Sequence, residues 1–243
     1  MTKEFSKTFY LAAGECNPQG EMPMPLLVHR VIEVATLHAN SWGIGYRYLI
    51  EHNHAWVLSR ITLELHRTPR VDEHYTVTTW IEDYNRHFSL RCMEVTDEQG
   101  EPIGYIRTVW MVIDLAARSS VDITRIDKIR DNVSARRCPI EPQSRLRPIA
   151  GEPASNYRFT YVDCDFNRHV NTVRYLELLM NQFDMEHYDR NRLSRVEMAF
   201  VKETHYGSEA TIAVACDGMN WAMNIMVDGE DHVRAKLCFT ERQ

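Results

Sequence analysis

No apolar run in this chain approaches the ~20 residues that a membrane-spanning helix needs, so no span is expected. The opening residues, Met1-Thr2-Lys3-Glu4-Phe5-Ser6-Lys7, hold some charge but no apolar h-region, which argues against a secretory signal. The six cysteines (Cys16, Cys92, Cys138, Cys164, Cys216 and Cys238) form no C-x-x-C pair, which counts against a zinc knuckle or a redox dithiol. Without a signal peptide they are expected to be reduced. No G-x-S-x-G occurs, which counts against a serine α/β-hydrolase. Neither G-x-G-x-x-G nor a Walker A motif is present, so nucleotide binding has no support. An excess of basic charge is missing too: the net charge is -6, which argues against general nucleic-acid binding. A cytoplasmic enzyme or binding protein is the class that remains.

At 243 residues, 44% hydrophobic and 26% charged, the chain can build one large domain or two small ones. Its most informative stretch runs from Asp163 to Tyr175. Asp163, Asp165, Asn167, His169 and Asn171 crowd together there, and an amphipathic segment follows at once. Val173, Leu176, Leu179, Met180 and Phe183 fall at helical spacing. Asn and Asp cap helices well, so the polar cluster belongs at or just before a helix N-terminus. Free N–H groups and the helix dipole can stabilise negative charge at that point. A carboxylate, an imidazole and an amide beside such donors are the parts needed to attack a carbonyl with water. A plain capping loop would explain one of these residues; five together point to a site.

The rest of the chain reads as two halves with the same order of elements. The first predicts a strand over Phe5 to Ala12 and a helix over Met24 to Ser41, with Leu27, Val31, Val34 and Leu37 or His38 on one side. Four strands are expected next: Val57 to His66, Glu73 to Glu82, His87 to Thr96 and Ile103 to Asp114. Their apolar residues alternate, as in half-buried antiparallel strands. The second half predicts a strand over Asn156 to Val162, a helix over Thr172 to Glu186, and strands over Val196 to Glu203 and Ala210 to Cys216. Two further strands follow the turn signals Asp217-Gly218 and Asp228-Gly229. Between the halves, Ala116 to Pro153 is proline-rich and charged, which predicts a linker with one short helix around Asp122 to Val133. One amphipathic helix can cover the apolar face of a curved antiparallel sheet. The expected fold is therefore α+β, a double hot dog: an N-terminal unit over 1–116, a linker over 117–153 and a C-terminal unit over 154–243.

Asp165-x-Asn167-x-His169-Val170-Asn171, with Tyr175 following, resembles the active-site motif of the acyl-acyl-carrier-protein thioesterases, the plant enzymes and their bacterial relatives. Glu203, 34 residues after His169, matches their second catalytic carboxylate. Trp56-Val57-Leu58-Ser59-Arg60-Ile61, Thr79-Trp80, the run Gly104 to Val112 and Ala117-Arg118 also have counterparts there, so the resemblance covers nearly the whole chain. It implies hydrolysis of acyl thioesters carried on acyl carrier protein (ACP), with the acyl pocket in the first half and Asp165, Asn167, His169 and Glu203 as catalytic residues. Three departures stand out. Thr204 occupies the place where plant members often carry Cys, so no thiol mechanism can run from there. The plastid transit peptide and apolar anchor of the plant members are not expected, which fits a bacterial protein. The first half has Cys16-Asn17-Pro18-Gln19-Gly20 in place of the motif, so one site per chain is expected.

Thioester hydrolysis needs an activated water and a stabilised oxyanion, and the thiolate leaves readily because a thiol's pKa is about 8.5. No metal or cofactor is demanded. Glu203 or Asp165 is expected to be the general base, since neighbouring carboxylates have their pKa values pushed apart. His169 orients the water or moves its proton, and Asn167 donates to the carbonyl oxygen or to a carboxylate. Helix N–H groups complete the oxyanion site, Asn171 is the N-cap, and Tyr175 packs. Between two Asp residues, Cys164 is a poor nucleophile. His52-x-His54 lacks a third metal ligand at motif spacing, and His205 either lines the site or simply ends a strand. The expected partner is acyl-loaded ACP, with basic linker residues such as Arg136 and Arg137 as a docking patch. Neither nucleic acid nor a membrane anchor is expected, and both a monomer and a homodimer are compatible with a fused pair. An acyl-CoA thioesterase or a hot-dog hydratase is the alternative activity, followed by a non-catalytic acyl-binding protein.

Overall fold

The computed structural model describes residues 3–242, apart from the side chains of Asp127 and Glu152. The outermost residues of the two expected domains, Met1, Thr2 and Gln243, lie outside the described residues. The chain divides into two compact units, Met1–Met22 with His29–Pro142, and Pro23–Val28 with Gln143–Gln243. Each is a hot dog, an antiparallel sheet with a helix on its apolar face.

In the first unit, β1 (Glu4–Tyr10) precedes the helix α1 (Met24–Ser41) and the short α2 (Tyr46–Glu51). Then come β2 (His54–Leu65), β3 (His74–Tyr84), β4 (Ser89–Thr96) and β5 (Pro102–Asp114), with the two-residue β6 (Ser119–Ser120) on the edge of β5. The strand order is β1-β3-β4-β5-β2. The alternation in the sequence fixes which face is apolar: Ile61, Leu63 and Leu65 on β2, and Tyr75, Val77, Thr79 and Ile81 on β3, are all buried. On α1 it is His38, not Leu37, that is buried. Its ring stacks on Phe5 and lies edge-on to Trp42, with centroids at 5.8 and 4.1 Å.

The stretch expected to be a linker carries packing of its own. A single 3-10 turn (Ile123–Arg125) and α3 (Asp127–Arg130) replace the one helix expected there. Ile123 and Ile129 are buried with Trp42, Ile44 and Val112. Cys138 and Ile140 are buried against Trp80 and Cys92, on the face of β3 and β4 that alternation assigns to solvent. Polar contacts hold this segment down. Trp80 Nε1 donates to the Arg136 carbonyl (2.9 Å), and Arg107 donates to the carbonyls of Cys138 (2.7 Å) and Ile140 (2.8 Å). The Arg136 guanidinium lies over Trp80 and pairs with Glu94 and Glu4. Its charge is thus already compensated within the unit.

The second unit repeats the order with β7 (Glu152–Arg158), α4 (Thr172–Met180), α5 (Met185–Arg190), β8 (Asn191–Phe200), β9 (Glu209–Asp217), β10 (Asn220–Val227) and β11 (Glu230–Glu241). Its strand order is β8-β11-β10-β9-β7. Tyr175, Leu176, Leu178 and Leu179 form the buried stripe of α4. The helix stops six residues before its expected end. Asn181 closes it, and the Asp184 side chain accepts the His187 amide (2.8 Å) to start α5. Side chains that bond nearby backbone groups favour such breaks. Phe183 still packs, on Trp221 and Phe239 at 4.9 and 4.8 Å between centroids, although it is no longer helical. The strand expected over Val196 to Glu203 ends at Phe200, so Glu203 stands in the loop beyond β8.

Candidate active site

Asp165 organises the loop that carries the polar cluster. Its Oδ1 accepts the amides of Asn167 (2.8 Å) and His169 (3.3 Å), and its Oδ2 accepts Asn167 Nδ2 (3.4 Å). The backbone closes the same turn through Asp165 N to His169 O (2.8 Å) and Arg168 N to Asp165 O (3.0 Å). Arg168 adopts φ 66, a left-handed conformation that costs a side-chain-bearing residue free energy and persists where surrounding bonds impose it.

Beneath the loop sits Asp163, which is buried. It accepts the Thr160 amide (2.6 Å), the Thr160 hydroxyl (2.8 Å) and the Tyr157 hydroxyl (3.1 Å). Its own carbonyl takes the Asn171 amide (2.8 Å). Asn171 is the N-cap of α4, its side chain accepting Val173 N (3.0 Å). The Arg174 amide returns to the Asn171 carbonyl (3.0 Å). Among the described residues no acceptor takes the amide of Thr172, so one N–H of the first turn is uncommitted at the positive end of the helix.

The second carboxylate arrives from far along the chain. Val170 N donates to the Thr204 carbonyl (2.8 Å), and a backbone bridge joins His169 to His205. This pairing brings Glu203 Oε2 to 3.5 Å from His169 Nε2, both side chains being about 30% exposed (29% and 31%). His232 holds the Glu203 loop in place. Its carbonyl accepts the amides of Val201 (2.8 Å) and Lys202 (3.3 Å), and its Nδ1 lies 2.8 Å from the Thr204 hydroxyl. Burial holds the His232 pKa below the usual imidazole value, helped by the nearby Lys202 charge. Sequence reasoning missed this residue, because nothing local to Asp231-His232-Val233 signals which loop it touches.

Tyr175 is buried, and its ring meets those of Phe159 and Phe200 at 5.8 and 6.1 Å. Burial pushes its phenol up to about 12, so it stays protonated and packs. Cys164 is raised as well, by burial and then by Asp163 and Asp165, which opposes thiolate formation. The loop and the cap thus bring Asp165, Asn167, His169 and Glu203 into one constellation, all within the second unit.

The chain matches the acyl-ACP thioesterase N-terminal domain over residues 2–133 and the acyl-ACP thioesterase C-terminal domain over residues 147–241. It belongs to the acyl-ACP thioesterase family. A solved acyl-ACP thioesterase from Bacteroides thetaiotaomicron is 31% identical, covers 98% of each chain and superposes with a TM-score of 0.91. The 12:0-ACP thioesterase from Umbellularia californica is 17% identical and superposes at 0.86 over 100% of this chain and 99% of its own, a likeness of fold. A chloroplast acyl-[acyl-carrier-protein] hydrolase of Cuphea viscosissima is 22% identical over 88% of this chain and 55% of its own length. The chain spans about half the length of the curated relatives it matches. Among the described residues no helix is long and apolar enough to cross a membrane.

Proposed function

We propose that this protein hydrolyses the thioester of fatty acyl-ACP to free fatty acid and ACP, as a bacterial, cytoplasmic member of the family. The observation that carries the reading is the meeting of His169 Nε2 and Glu203 Oε2 at 3.5 Å, beside an amide-bearing loop and a helix N-terminus. Glu203 is the general base. Its oxygen faces the imidazole, whereas both Asp165 oxygens are occupied by the loop's own N–H groups. A water held by His169 and Glu203 gives its proton to Glu203 as its oxygen attacks the carbonyl carbon. The carbonyl oxygen becomes an oxyanion facing the second N–H of Asn167 Nδ2 and the Thr172 amide. The C–S bond then breaks, and the departing sulfur takes the proton back from the His169–Glu203 pair. The residues need no cofactor for this chemistry. We assign the acyl chain to the first hot-dog unit, as the family resemblance implies.

Thiol release from acyl-ACP and acyl-CoA, compared side by side across chain lengths, tests the assignment. Turnover of the carrier substrate is expected to exceed that of the CoA ester; the reverse would make the protein an acyl-CoA hydrolase. Glu203→Gln and His169→Ala should each lower kcat by ~10²–10⁴ with the fold intact, the usual size of a lost acid–base group. Wild-type turnover by Glu203→Gln would remove that residue from the mechanism.

A further inference from the structure

His205 has no part in the scheme above, yet it is placed against the reacting pair. Its ring centroid lies 5.0 Å from that of His169 at a steep angle, on the backbone bridge that joins the two residues. One nitrogen from each of His169 and His205 and one carboxylate oxygen of Glu203 all lie within 4.8 Å of one another. Among the described residues this is the one group of three or more His, Cys, Asp or Glu side chains with that spacing. A tetrahedral zinc ion bonds its nitrogen and oxygen ligands at about 2.0–2.2 Å, which puts neighbouring ligand atoms roughly 3.3–3.5 Å apart. The His169–Glu203 edge already has that length, at 3.5 Å. The His205 edges need to shorten by at most about 1.5 Å, which rotation of an exposed imidazole supplies. Two imidazoles and one carboxylate, with a fourth position left to water, is a donor set that suits zinc among the divalent cations and disfavours calcium and magnesium.

Backbone contacts hold the loops that carry these ligands. Asp165 fixes the His169 backbone through its amide, and His232 fixes the Glu203 loop through the Thr204 hydroxyl and the amides of Val201 and Lys202. We propose that His169, Glu203 and His205 form a binding site for a divalent transition metal, best satisfied by zinc, whose occupation blocks hydrolysis. The blocking half rests on the hydrolytic role proposed for His169 and Glu203; the binding half does not. Zinc takes the lone pairs of the imidazole and the carboxylate that the water would otherwise use, so Glu203 and His169 no longer serve that water as base.

The test uses the full chain freed of metal with a chelator. Titration with Co²⁺ is read by visible absorption and with Zn²⁺ by calorimetry. One equivalent is expected to bind, with the intense visible bands of low-coordinate cobalt. His205→Ala should weaken binding by at least ~10-fold, the lower end of what loss of a supporting contact costs a metal site. Its unchanged melting temperature shows that the fold is kept. Zn²⁺ should inhibit acyl-ACP hydrolysis in proportion to occupancy, EDTA should restore it, and His205→Ala should be resistant. Absence of saturable one-site binding, or equal affinity in His205→Ala, overturns the site. Zn²⁺ that binds and raises turnover overturns the blocking. A chain that binds Zn²⁺ but hydrolyses no thioester retains the site and loses the hydrolytic reading, so the two failures are distinguishable.

Discussion

Asp165 and Glu203 are both carboxylates, but their surroundings give them different work. Asp165 is an acceptor for two backbone amides and one side-chain amide, a pattern that an Asn side chain can reproduce in part. Asp165→Asn keeps the carbonyl that takes the Asn167 and His169 amides and loses the anchor for Asn167 Nδ2. Its melting temperature should stay close to wild type, with kcat down by about tenfold, while Asp165→Ala should lose both stability (about 1 kcal/mol) and more activity, because all three donors lose their acceptor. Thermal melts and kcat on acyl-ACP check this; equal damage from the two variants would place Asp165 in the chemistry itself. The residues that were legible in the sequence are those whose relations are local. Asp165, Asn167, His169 and Asn171 form one turn and one cap, and spacing alone announces both. Glu203 stands 34 residues away and entered only through the family resemblance. His232, on another strand, gave no signal, since contacts between strands are set by register and register is not visible from a single strand's pattern.

At the scale of elements, alternation located nearly every strand, and its failures have identifiable causes. It treats each strand as having one dry face. On β3, however, Trp80 and Glu82 are buried as well as Tyr75 and Val77, because the segment ending at Ile140 covers the other face. Proline and charge made that segment resemble a linker; what fastens it is mostly hydrogen bonding to its backbone carbonyls, which composition does not encode. Arg107 is central, bonding the Cys138 and Ile140 carbonyls and pairing with Glu82 at 2.8 Å, where Glu82 is buried and Arg107 is largely covered (8% and 12% exposed). Arg107→Met removes these contacts and leaves the Glu82 carboxylate with the largely exposed Arg137 at 3.7 Å as its cationic partner, beside the Cys92 thiol and the Cys138 amide. The cost should be about 3–5 kcal/mol. Limited proteolysis should then cut between residues 130 and 142 well before the wild type is cut; equal resistance would show that apolar packing alone holds the segment. The N-cap of α4 is a second element-level test. Asn171→Ala loses the bond to Val173 N, for about 1 kcal/mol and a fall in melting temperature of roughly 2–4 °C. Activity should fall further than stability alone explains, because the Thr172 amide moves with the helix end. A variant that melts lower but turns over normally would exclude that amide from the oxyanion site.

For the whole molecule, the repeat of strand, helix and four strands was readable from the order of elements, although Cys16-Asn17-Pro18-Gln19-Gly20 replaces the polar motif in the first half. What order could not give is how the finished protein responds to acid, which depends on groups that burial or pairing moves away from their ordinary titration. Two histidines of the second unit are shifted in the same direction. His187 packs among Phe183, Tyr188 and Phe239, and burial holds its pKa below 6.5. His232 is depressed likewise by burial. In the unfolded chain both take a proton near pH 6.5, whereas in the folded protein they resist until lower pH. Their contribution to stability is therefore complete above pH 6.5 and is lost as the pH falls from there through the folded values. A second loss follows at lower pH from Glu33. Burial alone would raise its pKa, but Lys7 and Arg30 hold it below 4.5, so its contribution is present above that value and disappears beneath it. Melting temperature plotted against pH should thus be flat from 8 to 7, decline between about 6.5 and 5, and decline again below 4.5. His187→Phe keeps the aromatic packing and removes one titrating group, so its first decline should be shallower while the second is unchanged. If His187→Phe followed the wild-type curve throughout, burial of that imidazole would have no part in the acid response, and the slope near pH 6 would have to come from His232 and the site loop it supports.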